Sequence, residues 1–159
     1  MSYFIDSNTG KNHYMLDVKI KYRYSDMEKL RLIGETKSDW IDLRAAQSYS
    51  IKKGDFTLID LGVAMELPGG YEALVVPRSS TFKHTGLIQT NSVGVIDNSY
   101  CGPEDYWMWP CYATRDVEIE KGQRICQFRV LKNQEYILFN ESDLKENENR
   151  GGHGSTGKV

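Results

Sequence analysis

A single carboxylate at the end of an apolar stretch is the first feature of this sequence that could do chemistry. Apolar residues and glycine run from Val93 to Ile96, Asp97 follows, and the chain then turns through Asn, Ser and Gly. The pattern predicts a strand that delivers Asp97 to the mouth of a hairpin, with Tyr100 facing a flat ligand. A strand would hold the carboxylate rigidly enough to act as a general base. Taken alone, the stretch also fits an Asp that starts a turn beside a half-buried Tyr, which is the commoner meaning of such a pattern.

The C-terminal end carries a second set of polar groups. Residues 140–149 are polar and acidic, and residues 150–157 combine Arg150 with four glycines, Ser155 and Thr156. Such a segment buries too little apolar area to offset the entropy lost on ordering, so we expect it to be mobile in the empty protein. One arginine, two hydroxyls and many accessible N–H groups suit closure over phosphates. The alternative is a disordered linker.

Length and composition narrow the class of protein. The 159 residues are 40% hydrophobic and 26% charged, with a formal net charge of -2, which favours one globular domain and argues against a dedicated nucleic-acid binder. No stretch approaches the roughly 20 apolar residues of a membrane span, and no secretory signal is apparent, so a cytoplasmic location is expected. Cys101, Cys111 and Cys126 lack CxxC spacing, which favours reduced thiols over a zinc site.

The elements that must position these groups are short strands. Frequent Gly and Pro turns and almost no helical periodicity predict an all-β sandwich or barrel. One helical turn is expected over 25–32, a hairpin at 52–55, and turns at 67–70 and 121–122. The stretches with strand-like patterns are 14–24, 40–46, 56–66, 71–77, 107–113, 117–120, 124–131 and 136–139.

Five separated stretches, in order along the chain, resemble the five motifs of the trimeric dUTPases. They are 42–45, 77–80, 94–97 with Tyr100 and Gly102, 122–128, and 150–157. Each motif is weak alone, and five in the family's order are specific. The amino-acid sequence at 78–83 and 100–102 is most similar to the branch found in Gram-positive bacteria and their phages.

The resemblance implies a fold and an assembly. The fold would be an all-β, distorted jelly-roll β-barrel, with a domain over 1–140 and a flexible glycine-rich lid over 141–159. The chain would form a homotrimer with three active sites at subunit interfaces. In the family, the first, second and fourth motifs come from one chain, the third from a neighbour, and the tail from the remaining chain.

The resemblance also implies a reaction, which is hydrolysis of dUTP to dUMP and pyrophosphate. This reaction keeps uracil out of DNA and supplies dUMP for dTMP synthesis. Asp97 would be the general base that activates water, and Asp42 would hold Mg²⁺ through water. Asn91 and Tyr100 would select uracil and deoxyribose. The residues expected to bind phosphates or close over the nucleotide are Arg78, Ser79, Ser80, Gln127, Arg150, His153, Gly154, Ser155 and Thr156. Arg124 is left out of the site and is expected to brace either the trimer or its core ion pairs.

Departures from the family pattern leave three questions open. His153 stands where the family usually has Phe, so it either stacks on uracil or faces solvent. The segment 103–109 looks like an insertion, and an exposed Trp107 or Trp109 there would suggest a regulatory protein partner. Tryptophans of this kind are more often core or trimer-interface residues. The rival readings are a dCTP deaminase, which shares the fold, and a binding protein whose main role is to engage a repressor.

Overall fold

The computed structural model describes residues 2–6, 9–30 and 38–152 of the chain. Within these ranges it contains one short helix and otherwise strands joined by turns. The strands are β1 (Ser2–Ile5), β2 (Asn12–Met15), β3 (Lys19–Tyr22), β4 (Ile41–Arg44), β5 (Tyr49–Ile51), β6 (Phe56–Asp60), β7 (Val63–Glu66), β8 (Tyr71–Pro77), β9 (Leu87–Gln89), β10 (Gly94–Ile96), β11 (Met108–Ala113), β12 (Val117–Ile119) and β13 (Arg124–Lys132), and the helix is α1 (Thr81–Thr85). The predicted all-β character is confirmed.

The core follows from the period-two pattern of the strands. In β11, Trp109, Cys111 and Ala113 are buried while Met108 and Tyr112 are exposed, as expected when successive side chains point to opposite faces. The buried side chains of most strands meet in one apolar cluster. Tryptophan is seldom fully buried, and here Trp107 and Trp109 both are.

One antiparallel sheet, in the order β10-β8-β13-β4, brings the second, third and fourth motif-like stretches next to the first. Gln127 in β13 lies opposite Asp42 in β4 on one side and opposite Val76 in β8 on the other. Because β8 ends at Pro77, Arg78 emerges beside both residues. The register of this sheet therefore gathers side chains that are far apart in the sequence.

A second sheet, β6-β11-β9, has one face in the core and one that is apolar and open. Tyr112 lies opposite Phe56 on one side and Ile88 on the other, and these three side chains share one face with Leu58 and Met108. All five are exposed, from 38% for Met108 to 60% for Phe56. We call these five residues the outer face. An apolar patch of this kind on a sheet marks a contact surface.

Several predicted elements differ in their bounds or pairing. The 14–24 stretch forms two strands, β2 and β3, because 16–18 leaves the ladder and the two strands pair in different sheets. The 56–66 stretch likewise divides into β6 and β7, with Gly62 between them at φ +67°. The turn at 52–55 exists, but it is not a hairpin, since β5 pairs with β12 and β6 with β11.

Two predictions of regular structure are wrong. The described part of the 25–32 stretch makes a turn and no helix, and its aromatic neighbour Tyr22 uses its hydroxyl to accept the Leu30 N–H at 2.8 Å. The 136–139 stretch is no strand, and all four of its apolar side chains are exposed. An extended segment needs a partner strand, and the described residues of this chain supply none beside it.

The short helix was not predicted from the sequence. The helix α1 follows β8 directly and ends at Gly86, which adopts the left-handed conformation at φ 71°. Among the described residues, no helix has the length and apolar character needed to cross a membrane.

Candidate active site

A cleft of about 780 Å³ opens beside the ends of β4, β8 and β13. Among its lining residues are Asp42, Arg78, Ser79, Arg124 and Gln127, and we call it the arginine cleft. Four of these five belong to the residues predicted to meet phosphate or metal. Several further charged residues of the lining, among them Arg44 and Lys121, were not among the predicted site residues.

Asp42 is shared by two arginines. The Arg78 Nε lies 2.8 Å from one carboxylate oxygen and the Arg124 Nη1 lies 3.0 Å from the other. The Asp42 side chain is 30% exposed, and those of Arg78 and Arg124 are 24% and 50% exposed. Each guanidinium has further N–H groups beyond those given to Asp42, so the pair can bind an anion that enters the cleft.

Neutral donors lie close to these charges. The Gln127 side-chain amide donates to the Pro77 carbonyl at 3.3 Å, a long bond that an incoming acceptor could replace. Ser79 is exposed in the cleft lining. Ser80 is the N-cap residue of α1, and its side chain makes no capping hydrogen bond. Within the described residues, Ser80 is not part of the cleft lining, so its predicted phosphate contact stays a prediction.

A smaller recess of about 300 Å³ lies next to β10, and we call it the apolar pocket. Its lining includes Asn91 and Tyr100, the two residues predicted to select the base and the sugar. The Asn91 side-chain oxygen accepts a hydrogen bond from the Gln89 amide at 3.0 Å, which fixes how the Asn91 side chain is turned. The Tyr100 hydroxyl donates to the Tyr106 carbonyl at 3.3 Å.

The predicted hairpin around this pocket is a strand followed by a turn. β10 pairs with β8, and the Tyr100 N–H donates to the Asp97 carbonyl at 3.0 Å, which closes the turn at 97–100. Gly94 lies close to β8, where an added Cβ would approach the Val75 Cβ to 3.2 Å. A glycine at this position therefore allows the two strands to lie close together.

Asp97 lies at the end of β10, as predicted, and is exposed. Hydrogen bonds from the Ser99 hydroxyl, and then from the Ser99 N–H at 2.6 Å, hold the pKa of the Asp97 carboxyl below its ordinary value. The carboxylate is therefore ionised and oriented near neutral pH. In the described residues Asp97 lines neither the arginine cleft nor the apolar pocket. The arginine cleft, the apolar pocket and Asp97 are predicted to act together, yet they lie in separate parts of one chain.

The tail contributes little to the described structure. Arg150 is exposed. His153, Gly154, Ser155 and Thr156 lie outside the described residues, so their predicted roles stay predictions.

Arg124, which was not predicted to belong to the site, lines the cleft and pairs with Asp42. Its position three residues before Gln127 could not reveal this ion pair, because the contact depends on the pairing of β13 with β4, whose register shifts between Arg124 and Cys126. Trp107 and Trp109 are fully buried, so they do not mark a surface for a regulatory partner.

Fold and site together define a class: an all-β protein with a cleft lined by arginines and a separate, smaller apolar pocket. Comparison with known sequences then identifies the family. The dUTPase family model matches residues 33–157, so this chain belongs to the dUTPase family.

Individual relatives agree with this assignment. The chain is 56% identical over 140 residues to the SPbeta prophage-derived deoxyuridine 5'-triphosphate nucleotidohydrolase of Bacillus subtilis, covering 88% of this chain and 99% of the relative. The match supports the Gram-positive and phage branch suggested by the sequence.

Solved structures extend the likeness to the fold. A dUTPase variant of Staphylococcus bacteriophage 80alpha with dUpNHpp has a TM-score of 0.72 at 19% identity, covering 89% of this chain and 99% of that one. A dUTPase variant from phage phi11 of S. aureus, described with a structural Mg(II) ion, has a TM-score of 0.68 at 15% identity, covering 81% and 99%. The predicted all-β jelly-roll class is confirmed.

Proposed function

We propose that this protein hydrolyses dUTP to dUMP and pyrophosphate in active sites that neighbouring chains of a homotrimer share. The proposal rests on one observation. The residues that match the family's motifs are divided between two separate recesses of one chain. The arginine cleft offers two guanidiniums for a triphosphate, and the apolar pocket offers Asn91 and Tyr100 for a nucleoside. One nucleotide would need both recesses, and each would come from a different chain.

The outer face supports the proposed assembly. Its residues Leu58 and Met108 also line the apolar pocket, so a second chain seated on the outer face would form a further wall of that pocket. An exposed apolar sheet face is costly in water and is stabilised when another copy covers it.

Assembly can be tested on the outer face itself. Tyr112→Lys places a charge at its centre, where Tyr112 lies between Phe56 and Ile88. Sedimentation should give a trimer for the wild type and a smaller species for Tyr112→Lys. Tyr14→Lys, a change at another exposed tyrosine, should leave the trimer intact. A wild type that sediments as a single chain would contradict the proposal.

The proposed reaction begins with a water that Asp97 orients and deprotonates. The water oxygen attacks the α-phosphorus in line, and the bond from that phosphorus to the oxygen bridging to the β-phosphate breaks. Pyrophosphate leaves with the bonding electron pair, and the proton of the water passes to the Asp97 carboxylate. Arg78 and the N–H groups around it would stabilise the charge that develops on the phosphate oxygens.

Mg²⁺ fits this site as an ion that accompanies the substrate. Among the described residues, no three His, Cys, Asp or Glu side chains form a metal-binding group. Asp42 is one carboxylate whose two oxygens already accept hydrogen bonds from arginines, so it suits contact through a water molecule. When bound to the triphosphate, Mg²⁺ would neutralise negative charge on its oxygens.

The remaining contacts belong to the same proposal. Ser79, Ser80 and Gln127 would donate to phosphate oxygens, and the segment 141–159 would close over the nucleotide with Arg150 on the γ-phosphate. Uracil would be recognised by backbone groups near Asn91, because O4 and N3–H differ from the amine and N3 of cytosine. The proposed place of action is the cytoplasm, where the enzyme would keep uracil out of DNA and supply dUMP.

The test is hydrolysis of dUTP, dTTP, dCTP and UTP by the wild type and by Asp97→Asn. We expect pyrophosphate release from dUTP alone at substantial rate, and a loss of at least about 100-fold in kcat for Asp97→Asn. Ammonia release from dCTP would instead identify a deaminase. Full turnover by Asp97→Asn would contradict the role given to that carboxylate.

A further inference from the structure

The segment that follows the Asp97 turn, residues 100–107, carries Tyr100 at one end and is closed on itself. The Gly102 N–H donates to the Asp105 carboxylate at 2.7 Å, and the Tyr100 hydroxyl donates to the Tyr106 carbonyl at 3.3 Å. Tyr106 is only 5% exposed. The position of Tyr106 therefore determines whether its carbonyl is available to accept the hydrogen bond from the Tyr100 hydroxyl.

Arg23, the residue after β3, covers the ring of Tyr106. Its guanidinium carbon lies 3.8 Å from the ring centroid, within the range of a cation–π contact. On its other side the Arg23 Nε lies 2.8 Å from the carboxylate of Asp60, whose side chain is 8% exposed. Asp60 also accepts the Gly62 N–H at 2.7 Å, so this ion pair is anchored to the backbone.

Lys21, in β3, holds the other part of the segment. Its Nζ donates to the Pro103 carbonyl and to the Glu104 carboxylate, both at 2.8 Å. The same Nζ lies 5.3 Å from the centroid of the Tyr106 ring. The side chains of Lys21 and Arg23, two positions apart, thus both contact the 100–107 segment, which lies about 80 residues further along the chain.

We propose that Lys21 and Arg23 are positioning residues that determine the selectivity of this enzyme for deoxyribose over ribose. They hold residues 100–107 so that the Tyr100 ring closes the apolar pocket where a 2′-hydroxyl would have to fit. Both residues precede residue 33, where the match to the dUTPase family begins, so the contact is contributed from outside the matched region. The inference rests on the proposed function, since it needs Tyr100 to face the sugar.

The chain supplies a matched control for testing Lys21. Lys19 lies two residues earlier in β3, on the same face, and pairs with Glu66 at 3.0 Å as Lys21 pairs with Glu104. In the described part of the chain, the Lys19 Nζ donates to Glu66 in β7 and makes no hydrogen bond to the 100–107 segment. Lys21→Met and Lys19→Met therefore remove the same charge and the same kind of surface ion pair, and only the first frees the segment.

The measurement is the ratio of kcat/KM for dUTP to kcat/KM for UTP. In Lys21→Met we expect this ratio to fall by about three- to tenfold, the size expected for losing two exposed charged hydrogen bonds, with the change in KM larger than that in kcat. Lys19→Met should keep the wild-type ratio, and Lys21→Arg, which retains the charge and the donors, should restore most of it. Tyr100→Phe, which lacks the bond to Tyr106, should resemble Lys21→Met.

A merely structural role would lower the rates with both nucleotides together and leave their ratio unchanged. An unchanged ratio in Lys21→Met, or an equal fall in Lys19→Met, would overturn the inference. If the wild type does not hydrolyse dUTP, the proposed function fails instead. If the wild type is active and Tyr100→Phe alone loses selectivity, the proposed function stands and the positioning role of Lys21 is refuted.

Discussion

Replacing Asp42 by Asn perturbs the arginine cleft with almost no change in shape. The carboxylate accepts from Arg78 at 2.8 Å and from Arg124 at 3.0 Å, so in the empty protein it neutralises part of the charge that a phosphate would meet. An Asn side chain keeps one acceptor for Arg78 and removes the negative charge. Inorganic pyrophosphate without metal should then bind more tightly.

The magnitude follows from Coulomb's law. An anion on the far side of the Arg78 guanidinium lies about 7 Å from the Asp42 carboxylate, where two unit charges repel by about 0.6 kcal/mol in bulk water and about 2.4 kcal/mol at an effective dielectric constant near 20. Because Asp42 is 30% exposed, the lower part of this range applies. A gain of about 1 kcal/mol corresponds to about fivefold tighter binding per charge.

The assay is calorimetric titration of pyrophosphate in the presence of EDTA at low salt. Asp26→Asn is the control, because Asp26 also lines the cleft but pairs with Lys121, and its side chain is 64% exposed, so its removal should change the affinity by less than about twofold. Equal or weaker pyrophosphate binding by Asp42→Asn than by the wild type would refute the view that Asp42 competes with phosphate for the arginines.

Two further predictions concern titration and thiol reactivity. The pKa of Asp97 lies below its ordinary value of 3.8 because Ser99 donates to the carboxylate, so a carboxylate-dependent kcat/KM should persist as pH falls towards that value. Ser99→Ala removes the hydroxyl donor and should move the acid limb of the kcat/KM profile to higher pH. An unmoved limb would contradict the assignment of that limb to Asp97. All three cysteines lie in the described part of the chain. Cys101 is exposed, while burial raises the pKa of Cys111 to about 11 and holds the pKa of Cys126 well above its usual range. A thiol reagent at pH 8 should therefore rapidly modify about one thiol per native chain, and fast modification of all three would refute this.

Local patterns in the sequence predicted those elements whose signal is local. The strand over 71–77 has the predicted bounds, and the Pro68-Gly69-Gly70 turn closes with the Tyr71 N–H on the Pro68 carbonyl at 3.2 Å. Glycine at position 70 adopts φ 81°, a conformation that other residues rarely adopt, which is why this dipeptide is a reliable signal.

Strand pairing could not be predicted in the same way, because partners are distant in sequence. The turn at 52–55 suggests a hairpin, yet its two flanking strands pair with β12 and β11, in separate sheets. The apolar stretch 136–139 has the composition of a strand but no partner within the described chain. Propensity describes how well a residue fits a sheet, and the partner decides whether a sheet forms.

The candidate site likewise combines features that the local sequence predicts with features that depend on the three-dimensional fold. Residue type and motif order predicted that Asp42, Arg78 and Gln127 act together, and the register of β4, β8 and β13 brings them to one cleft. Arg124 forms an ion pair, but it does so with Asp42 inside the cleft and not outside the site as predicted, because the contact depends on three-dimensional geometry. Trp107 lies in the core, which is the commoner place for a tryptophan in such a segment.

The most direct test of a shared site is a mixture of two inactive variants. Arg78→Ala chains lack the Arg78 guanidinium of the arginine cleft and keep Asp97. Asp97→Asn chains keep both arginines of the cleft and lack the base. If each site combines the cleft of one chain with Asp97 of its neighbour, randomly mixed trimers from equal amounts should recover about a quarter of wild-type dUTP hydrolysis. If one chain supplied both groups, the mixture would stay as inactive as its components.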